Sequence, residues 1–495
     1  MVIAPMAAAP YDVKFEWALG LSGLLPEILL VITALAVVLI DLVIHQKRLL
    51  FGVALAGLML ALFAAALYGR ADASLFGGLL ALDSFAVFFK LLAIGSMLLV
   101  VLCSVDCRAL SNAALGEYIA LLLFATVAML TLISANDLLT VFLGVEFLSL
   151  TSYVLVGFLR EEPLSSEAAL KYFLFGAFCS GTMLYGMSLL YGLAGTTHLP
   201  DLKIALASRV TAAQLPVVWV SFLLVLVGLG FKIAIVPLHL WVPDVYEGAP
   251  TPITAFLSVG SKVAAFAVLF RFFRVAMPLP WNFLDGILGA LCILTMTTAN
   301  LVALKQGNIK RLLGYSSIAQ MGTILIGFVV ATLAGMEAVL LYLLAYLFMN
   351  LGAFLIVIWV SNAGGSDAID DFAGLSKTSP VLAMMLALFL LSLVGVPPLA
   401  GFFGKFFIFA AAMKSGYLYL AIAGVINAVI AAGYYFKVIY TMYLVEPRKV
   451  FLFPKSLSLK VGVAVSAVGT LAIGIFPRFI LEFVSHSTKL LGWAG

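Results

Sequence analysis

The sequence predicts an all-α polytopic membrane protein with about fourteen transmembrane helices. Its 495 residues are 64% hydrophobic and only 10% charged, with a mean hydropathy of +1.21. Soluble domains are roughly 45–50% apolar and about 25% charged. Apolar runs of about 20 residues, the length that spans a bilayer, recur along the whole chain. The loops between them are short, and none is large or polar enough to form a soluble domain.

Each apolar run gives one predicted span, and the spans follow one another with short connections. Their predicted first residues are Leu24, Leu49, Leu82, Glu117, Leu138, Ala168, Pro216, Pro252, Phe283, Tyr315, Met336, Pro380, Tyr417 and Leu457.

Two parts of the chain share a pattern that indicates an internal repeat. LTLISANDLLTVF (130–142) resembles LTMTTANLVALKQ (294–306), and each is followed later by a glycine-rich apolar run that proline interrupts. Inverted repeats with broken helices are typical of membrane transporters. We therefore predict an inverted repeat in which each copy contains a proline-broken helix. The predicted regions are an N-terminal three-helix region (1–110), a first repeat (111–275), a second, inverted repeat (280–445) and a C-terminal transmembrane helix (446–495).

The distribution of lysine and arginine predicts the orientation in the membrane, because short cytoplasmic loops carry the excess of these residues. The loop with Lys47 and Arg48 and every second loop after it are the more basic. We expect these loops to face the cytoplasm, which places both termini in the periplasm. The opposite side holds fewer basic residues, namely Arg70, Lys203, Arg209, Arg271, Arg274 and Lys414. The net charge of +4 is scattered and offers no basic stripe for nucleic acid.

Four ionisable residues lie deep inside predicted spans, where an ionised group costs at least about 2.5–3.5 kcal/mol. They are Glu146, Lys232, Lys262 and Lys405. Several such residues on different helices indicate a functional site. A fixed structural ion pair is the alternative for Glu146.

Four further charged residues are second candidates. Lys90, Lys171 and Lys437 lie in apolar runs, and Asp83 lies near the end of a span. Lys171 and Lys437 are close enough to span ends for their ammonium groups to reach the membrane surface instead.

Prolines interrupt two of the charged spans. Pro237 follows Lys232, and Pro397 and Pro398 precede Lys405. Proline lacks a backbone donor and frees carbonyls on the preceding turn, and such groups inside a membrane must meet protein or water. The breaks therefore predict a hydrated polar lane beside the lysines. His239, just after the first break, either relays protons or holds the broken backbone by a hydrogen bond.

The buried charges suggest a proton path. Burial disfavours a charged lysine, and a nearby carboxylate favours it. A lysine between these two effects gains or loses a proton when its neighbour moves. We expect Glu146 to hold Lys232 charged, Lys262 to accept the released proton and Lys405 to pass it to the opposite face.

The sequence contains no motif for a redox cofactor or a metal. It has no GxGxxG, no Walker loop and no CxxC pair. Cys103 and Cys107 stand one helical turn apart and could supply half of a metal site. Two small residues packed on one helix are the simpler interpretation. The energy for proton transport must therefore come from partner subunits.

Several segments together resemble the antiporter-like membrane subunits of respiratory complex I. They are KIAIVPLHLWVPDVYEGAPTP, VGSKVAAF, ANLVALKQGNIKRLLGYSSIAQMG and GVPPLAGFFGKF. The resemblance covers nearly the whole chain and implies a fold of fourteen helices with two inverted five-helix repeats. It implies Glu146 and Lys232 as a coupled pair, Lys262 as the central relay and Lys405 as the exit residue. It also implies a bacterial inner-membrane location, with FMN, iron–sulfur clusters and quinone held by partner subunits.

The family contains several types of antiporter-like subunit, and three features of the chain favour one of these types. The chain ends soon after the fourteenth span, where another type continues into a long lateral helix. Lys405 stands where a second type has glutamate, and Lys262 where two types have histidine. For the favoured type, the resemblance implies subunits K and M as neighbours. Two alternatives remain open at this point: a subunit of an Mrp-type Na⁺/H⁺ antiporter, and a non-pumping scaffold subunit.

Overall fold

The computed structural model describes residues 20–43, 46–67, 72–111, 114–278, 282–447, 449, 451–488 and 490. Within these residues, thirteen helices are long and apolar enough to cross a membrane. A fourteenth crossing consists of two shorter helices, Pro380–Val394 and Ala400–Lys414. The predicted all-helical membrane fold with about fourteen spans is therefore confirmed.

The helices are numbered in chain order. They are α1 Leu25–Val43, α2 Arg48–Leu67, α3 Ser84–Val105, α4 Leu115–Ser134, α5 Leu138–Val156, α6 Pro163–Ala194, α7 Leu199–Arg209, α8 Leu215–Ile233, α9 Val242–Gly248, α10 Thr251–Arg271, α11 Asn282–Ala303, α12 Ile309–Val329, α13 Leu333–Asn362, α14 Leu375–Thr378, α15 Pro380–Val394, α16 Ala400–Lys414, α17 Leu418–Leu444, α18 Leu457–Ile475 and α19 Pro477–Ser485. Short 3₁₀ helices span Phe76–Gly78, Arg108–Leu110, Ala212–Gln214 and Ile369–Phe372, and a π-helical turn spans Phe272–Ala276.

A short β-hairpin precedes α3 and was not predicted. Its strands, β1 (Ala73–Leu75) and β2 (Leu80–Leu82), pair antiparallel with Ala73 opposite Leu82. Gly77 and Gly78 supply positive φ values of 63° and 101° in the turn, a conformation that glycine adopts without steric penalty. An isolated bridge joins Leu80 to Ala135. The hairpin therefore lies against the connection between α4 and α5.

Two spans are broken at the predicted prolines. α8 ends at Ile233, four residues before Pro237, and α15 ends at Val394, three residues before Pro397. The residues after the two helix ends, Ala234 and Gly395, adopt positive φ. Each predicted repeat contains five spanning elements, and in each the fourth is broken. The inverted relation between the repeats and the region boundaries remain predictions.

α10 lies at the centre of the bundle, and every one of its residues is buried. α12 and α13 are also largely enclosed, whereas α6, α8 and α17 expose apolar side chains on their outer faces. Such exposure is expected of helices that face lipid. The arrangement places the middle of α10, and thus Lys262, far from bulk water.

Two ion pairs are buried near one end of the bundle. Asp83, the N-cap of α3, accepts two hydrogen bonds from Arg271 at 2.8 and 2.9 Å. Lys90 pairs with Glu27 at 2.7 Å. Arg274 is also buried and donates to the carbonyl of Phe328 at 2.6 Å. Arg271 and Arg274, which the loop charges assign to the less basic side, are thus both buried and bind buried acceptors. The orientation in the membrane remains a prediction.

Replacing Asp83 with alanine should destabilise the fold by about 3–5 kcal/mol, because Arg271 would keep a buried charge without its carboxylate. The measurement is the unfolding midpoint of the detergent-solubilised protein. Glu482→Ala is the control, since it removes a partner from the exposed pair with Arg478 and should leave the midpoint unchanged. Equal midpoints for the two variants would contradict this role of Asp83.

Candidate functional site

Lys232 lies in the last turn of α8, and its side chain is buried. Its Nζ has no hydrogen-bond partner in the described part of the chain. It lies 5.6 Å from the ring centroid of Tyr172 and 5.9 Å from that of Tyr153. These distances place the ammonium within the range of cation–π attraction.

Glu146 lies on α5 and is not bonded to Lys232. Its Oε1 is buried and has no hydrogen-bond partner among the described residues. The same residues provide no ion pair to its carboxylate. The alternative of a fixed ion pair is therefore not what the structure shows. The carboxylate of Glu146 and the amine of Lys232 therefore remain separate.

Other side chains hold the broken backbone after Lys232. Trp241 Nε1 donates to the carbonyl of Phe231 at 3.1 Å, and the hydroxyl of Thr295 accepts from the backbone N–H of Val236 at 3.0 Å. His239 Nδ1 is buried and has no partner among the residues described. Trp241 and Thr295 thus hold the broken backbone by hydrogen bonds, which is one of the two roles that the sequence suggested for His239.

Lys262 occupies the middle of α10 and is fully buried. Its Nζ donates to Ser317 Oγ at 2.5 Å. The hydroxyl of Tyr346 donates to the same Ser317 oxygen at 2.8 Å. A lysine, a serine and a tyrosine from three helices thus share one hydrogen-bonded group.

Lys405, on α16, binds the end of the other broken helix. Its Nζ donates to the carbonyl oxygens of Leu393 and Val394 at 2.9 and 3.0 Å. These are the last residues of α15, whose carbonyls lack partners in the next helical turn. The break thus provides the polar acceptors that the prolines predicted. A Cβ atom at Gly401 would lie 1.8 Å from the carbonyl oxygen of Ser392, so glycine permits this close approach of α16 to α15.

A chain of uncharged polar groups occupies the space between Lys262 and Lys405. Gln320 Nε2 donates to the carbonyl of Leu393, which Lys405 also binds, at 3.0 Å, and to Tyr435 OH at 3.3 Å. Tyr435 OH is hydrogen-bonded to Ser316 Oγ. Ser316 is the chain neighbour of Ser317, the partner of Lys262. This network, Ser316, Ser317, Gln320 and Tyr435 with Tyr342 and Tyr346, is called the α12 polar chain below.

Comparisons with known proteins agree with this architecture. A family model described as "NADH:quinone oxidoreductase/Mrp antiporter, TM" matches residues 135–431. The chain belongs to the NADH:quinone oxidoreductase/Mrp antiporter family. NADH-quinone oxidoreductase subunit N of Trichlorobacter lovleyi is 41% identical over 477 residues, which cover 96% of this chain and 98% of the relative. The family resemblance inferred from the sequence motifs is therefore confirmed, and the type that the three features favoured is subunit N.

Solved structures of family members have the same fold. A chain of respiratory complex I from Thermus thermophilus is 31% identical and superposes with a TM-score of 0.80, covering 93% of this chain and 100% of that one. A chain of the Mrp complex from Dietzia sp. DQ12-45-1b superposes with a TM-score of 0.81 over 95% of this chain and 98% of its own, at 22% identity. The second likeness shows a shared fold only.

The α12 polar chain was not predicted from the sequence. A signal was present, because Ser316, Ser317, Gln320 and Thr323 interrupt an otherwise apolar span at helical spacing. Two further tyrosines lie beside the lysines, because the Tyr172 ring is 5.6 Å from Lys232 Nζ and the Tyr246 ring is 5.9 Å from Lys262 Nζ. Tyr172 OH and Tyr246 OH are buried and have no partner among the described residues. Their rings are linked by Trp241, which stacks on Tyr172 at 4.5 Å and meets Tyr246 at 6.3 Å.

The second candidates lie away from this path. Lys90 and Asp83 form the buried pairs described above. Lys171 is half exposed and pairs with Asp244 at 2.7 Å, and exposed Lys437 donates to the carbonyl of Gln306 at 3.0 Å. Among the described residues, no group of three His, Cys, Asp or Glu residues could hold a metal ion.

Proposed function

We propose that the chain is the subunit N type of membrane subunit in a NADH:quinone oxidoreductase and that it moves protons along its buried Glu and Lys residues. The support is the polar connection between Lys262 and Lys405 through the α12 polar chain. Two steps between Lys262 and Lys405 lack a direct side-chain hydrogen bond. One is from Ser317 to Ser316, and the other is from Gln320 to Lys405, which both donate to the carbonyl oxygen of Leu393. Burying six polar side chains in one region is unfavourable unless all of them are hydrogen-bonded, and these six bind one another or Lys262.

The hydroxyls of the α12 polar chain are suited to proton transfer. A hydroxyl both donates and accepts, so Ser317, Ser316 and Tyr435 can pass a proton in either direction. The amide of Gln320 is suited to positioning, since its nitrogen only donates and its oxygen only accepts. It holds Tyr435 and Tyr342 in place beside the carbonyl that Lys405 binds.

The pair Glu146 and Lys232 is suited to controlling this transfer. Because the two groups are not bonded to each other, a small displacement would change how strongly the carboxylate favours the charged lysine. Polar atoms of Glu146, Lys232, Tyr172 and Tyr246 are buried without protein partners. Buried polar groups bind ordered water when no protein partner is present. We propose that such water joins Lys232 to Lys262.

The driving energy comes from outside this chain. Moving one proton against 100 mV requires about 2.3 kcal/mol, and the sequence contains no motif for a redox cofactor. We propose that quinone reduction in partner subunits, which hold FMN, iron–sulfur clusters and quinone, supplies it. The proposed neighbours are subunits K and M in the bacterial inner membrane, with both termini of this chain in the periplasm.

Glu146→Ala and Lys232→Ala should each reduce proton pumping by the assembled complex in vesicles at least about tenfold, because a proton-transferring side chain contributes that much or more. NADH-driven proton uptake is the measurement, with assembly checked by gel electrophoresis of the intact complex. Glu167→Ala and Lys460→Ala, which change exposed residues, should pump normally.

Full pumping by both Glu146→Ala and Lys232→Ala would indicate a scaffold. Sodium/proton exchange by the isolated subunit in vesicles, driven by a pH gradient, would favour an Mrp-type antiporter instead.

Gln320→Leu should slow proton pumping by about tenfold or more. The substitution removes the amide's hydrogen bonds to Tyr435, to Tyr342 and to the carbonyl of Leu393, which also accepts from Lys405. Thr323→Val is the matched control. Thr323 is also buried on α12, one turn further along, and contacts Met296 and the backbone of Ala319 rather than the lysines. Equal pumping rates in the two variants would rule out a role for Gln320 in the path.

A further inference from the structure

A polar pocket of about 390 Å³ lies at one end of the bundle, where α2 and α18 begin and α3 and α13 end. Three basic side chains line it: Arg48, Arg108 and Lys455. Its acidic residue is Asp106, which follows α3. The pocket lies at the end that the loop charges predict to face the cytoplasm.

The negative charge of Asp106 is already compensated. Its Oδ1 accepts from Arg48 at 3.2 Å, and its Oδ2 accepts from the hydroxyls of Ser456 and Ser458 at 2.6 and 3.0 Å. The exposed side chains of Arg108 and Lys455, by contrast, form no ion pair within the described residues. The pocket therefore offers two uncompensated positive charges to an anion.

An apolar groove of about 540 Å³ lies further along the same helices. Residues of α2, α3 and α13 line both the pocket and the groove, and the groove is also lined by Val465 of α18 and Phe483 of α19. Leu102 in the groove is one turn from Val105 in the pocket, and Leu55 is one turn from Phe51. Residues at this spacing share a helix face.

The groove has the length and the space for an acyl chain. Between Leu102 and Phe88, α3 rises by about 21 Å, more than half the thickness of a hydrocarbon core of about 30 Å. Gly95 lies midway, and a Cβ atom there would meet only Leu347, at 4.0 Å. A linear hydrocarbon chain can therefore pass Gly95.

We propose that this pocket and groove bind one anionic phospholipid. The phosphate lies between Arg48, Arg108 and Lys455, and one acyl chain lies in the groove. Basic pockets between transmembrane helices bind such head groups. A free phosphate would leave the groove unfilled, and a zwitterionic head group would bring an ammonium toward the two uncompensated cations. The lipid joins α2 and α3 to α13 and α18, independently of the proton path.

The test uses the purified, delipidated complex in neutral detergent and counts bound lipid by native mass spectrometry. The complex is titrated with phosphatidylglycerol, phosphatidylcholine or inorganic phosphate. We expect saturable binding of one phosphatidylglycerol at this site, and the double variant Arg108→Gln/Lys455→Gln should bind it about tenfold to thirtyfold more weakly. Lys414→Gln, an exposed lysine at the other end of the bundle, should bind it normally.

A second pair of variants tests the groove. Gly95→Phe should fill the acyl-chain path and abolish binding of that lipid. Gly52→Phe, at an exposed position on α2 with no atom within 4 Å of an added Cβ, should not. Equal binding of phosphatidylcholine, displacement of the lipid by inorganic phosphate alone, or unchanged binding in Gly95→Phe would each overturn the proposal. If one variant fails to assemble, the wild-type titration and the other variant still decide.

Discussion

Water is scarce inside a membrane, so every ionised or unpaired polar group there must meet protein groups or enclosed water. This constraint explains where the charged residues of the chain lie. Asp83 with Arg271, and Glu27 with Lys90, are directly paired and fully enclosed. Lys262 and Lys405 instead bind neutral oxygens. When a lysine bound to a neutral oxygen loses its proton, no unpaired charge remains. A carboxylate partner would instead keep a buried negative charge, which is unfavourable.

The fold supplies those neutral acceptors in two ways. The break between α15 and α16 exposes the carbonyls of Leu393 and Val394 to Lys405, where an unbroken helix would use them internally. α12 lies between the central α10 and the α15–α16 break, and it carries hydroxyl and amide groups toward both. The same helices that exclude lipid therefore also connect the lysines.

Much of the fold follows from the sequence, because lipid allows only helices of a fixed minimum length and apolar runs reveal them. Boundaries were less predictable. α12 begins at Ile309 rather than near Tyr315, because Asn308 caps it and the charged Lys310 and Arg311 form its first turn. The four charged candidates could be proposed from the sequence because each is a lone charge in an apolar run. Tyr435 and Gln320 carry no charge, and their meeting depends on how distant helices pack, which one sequence does not display.

The central claim is that buried titratable groups form one connected path for protons. A density map of the assembled complex that resolves ordered water tests it most directly. We expect water at the atoms without protein partners, namely Glu146 Oε1, Lys232 Nζ and the hydroxyls of Tyr172 and Tyr246, continuous with Lys262. Dry side-chain packing between Lys232 and Lys262, with each amine isolated from the next, would contradict the account.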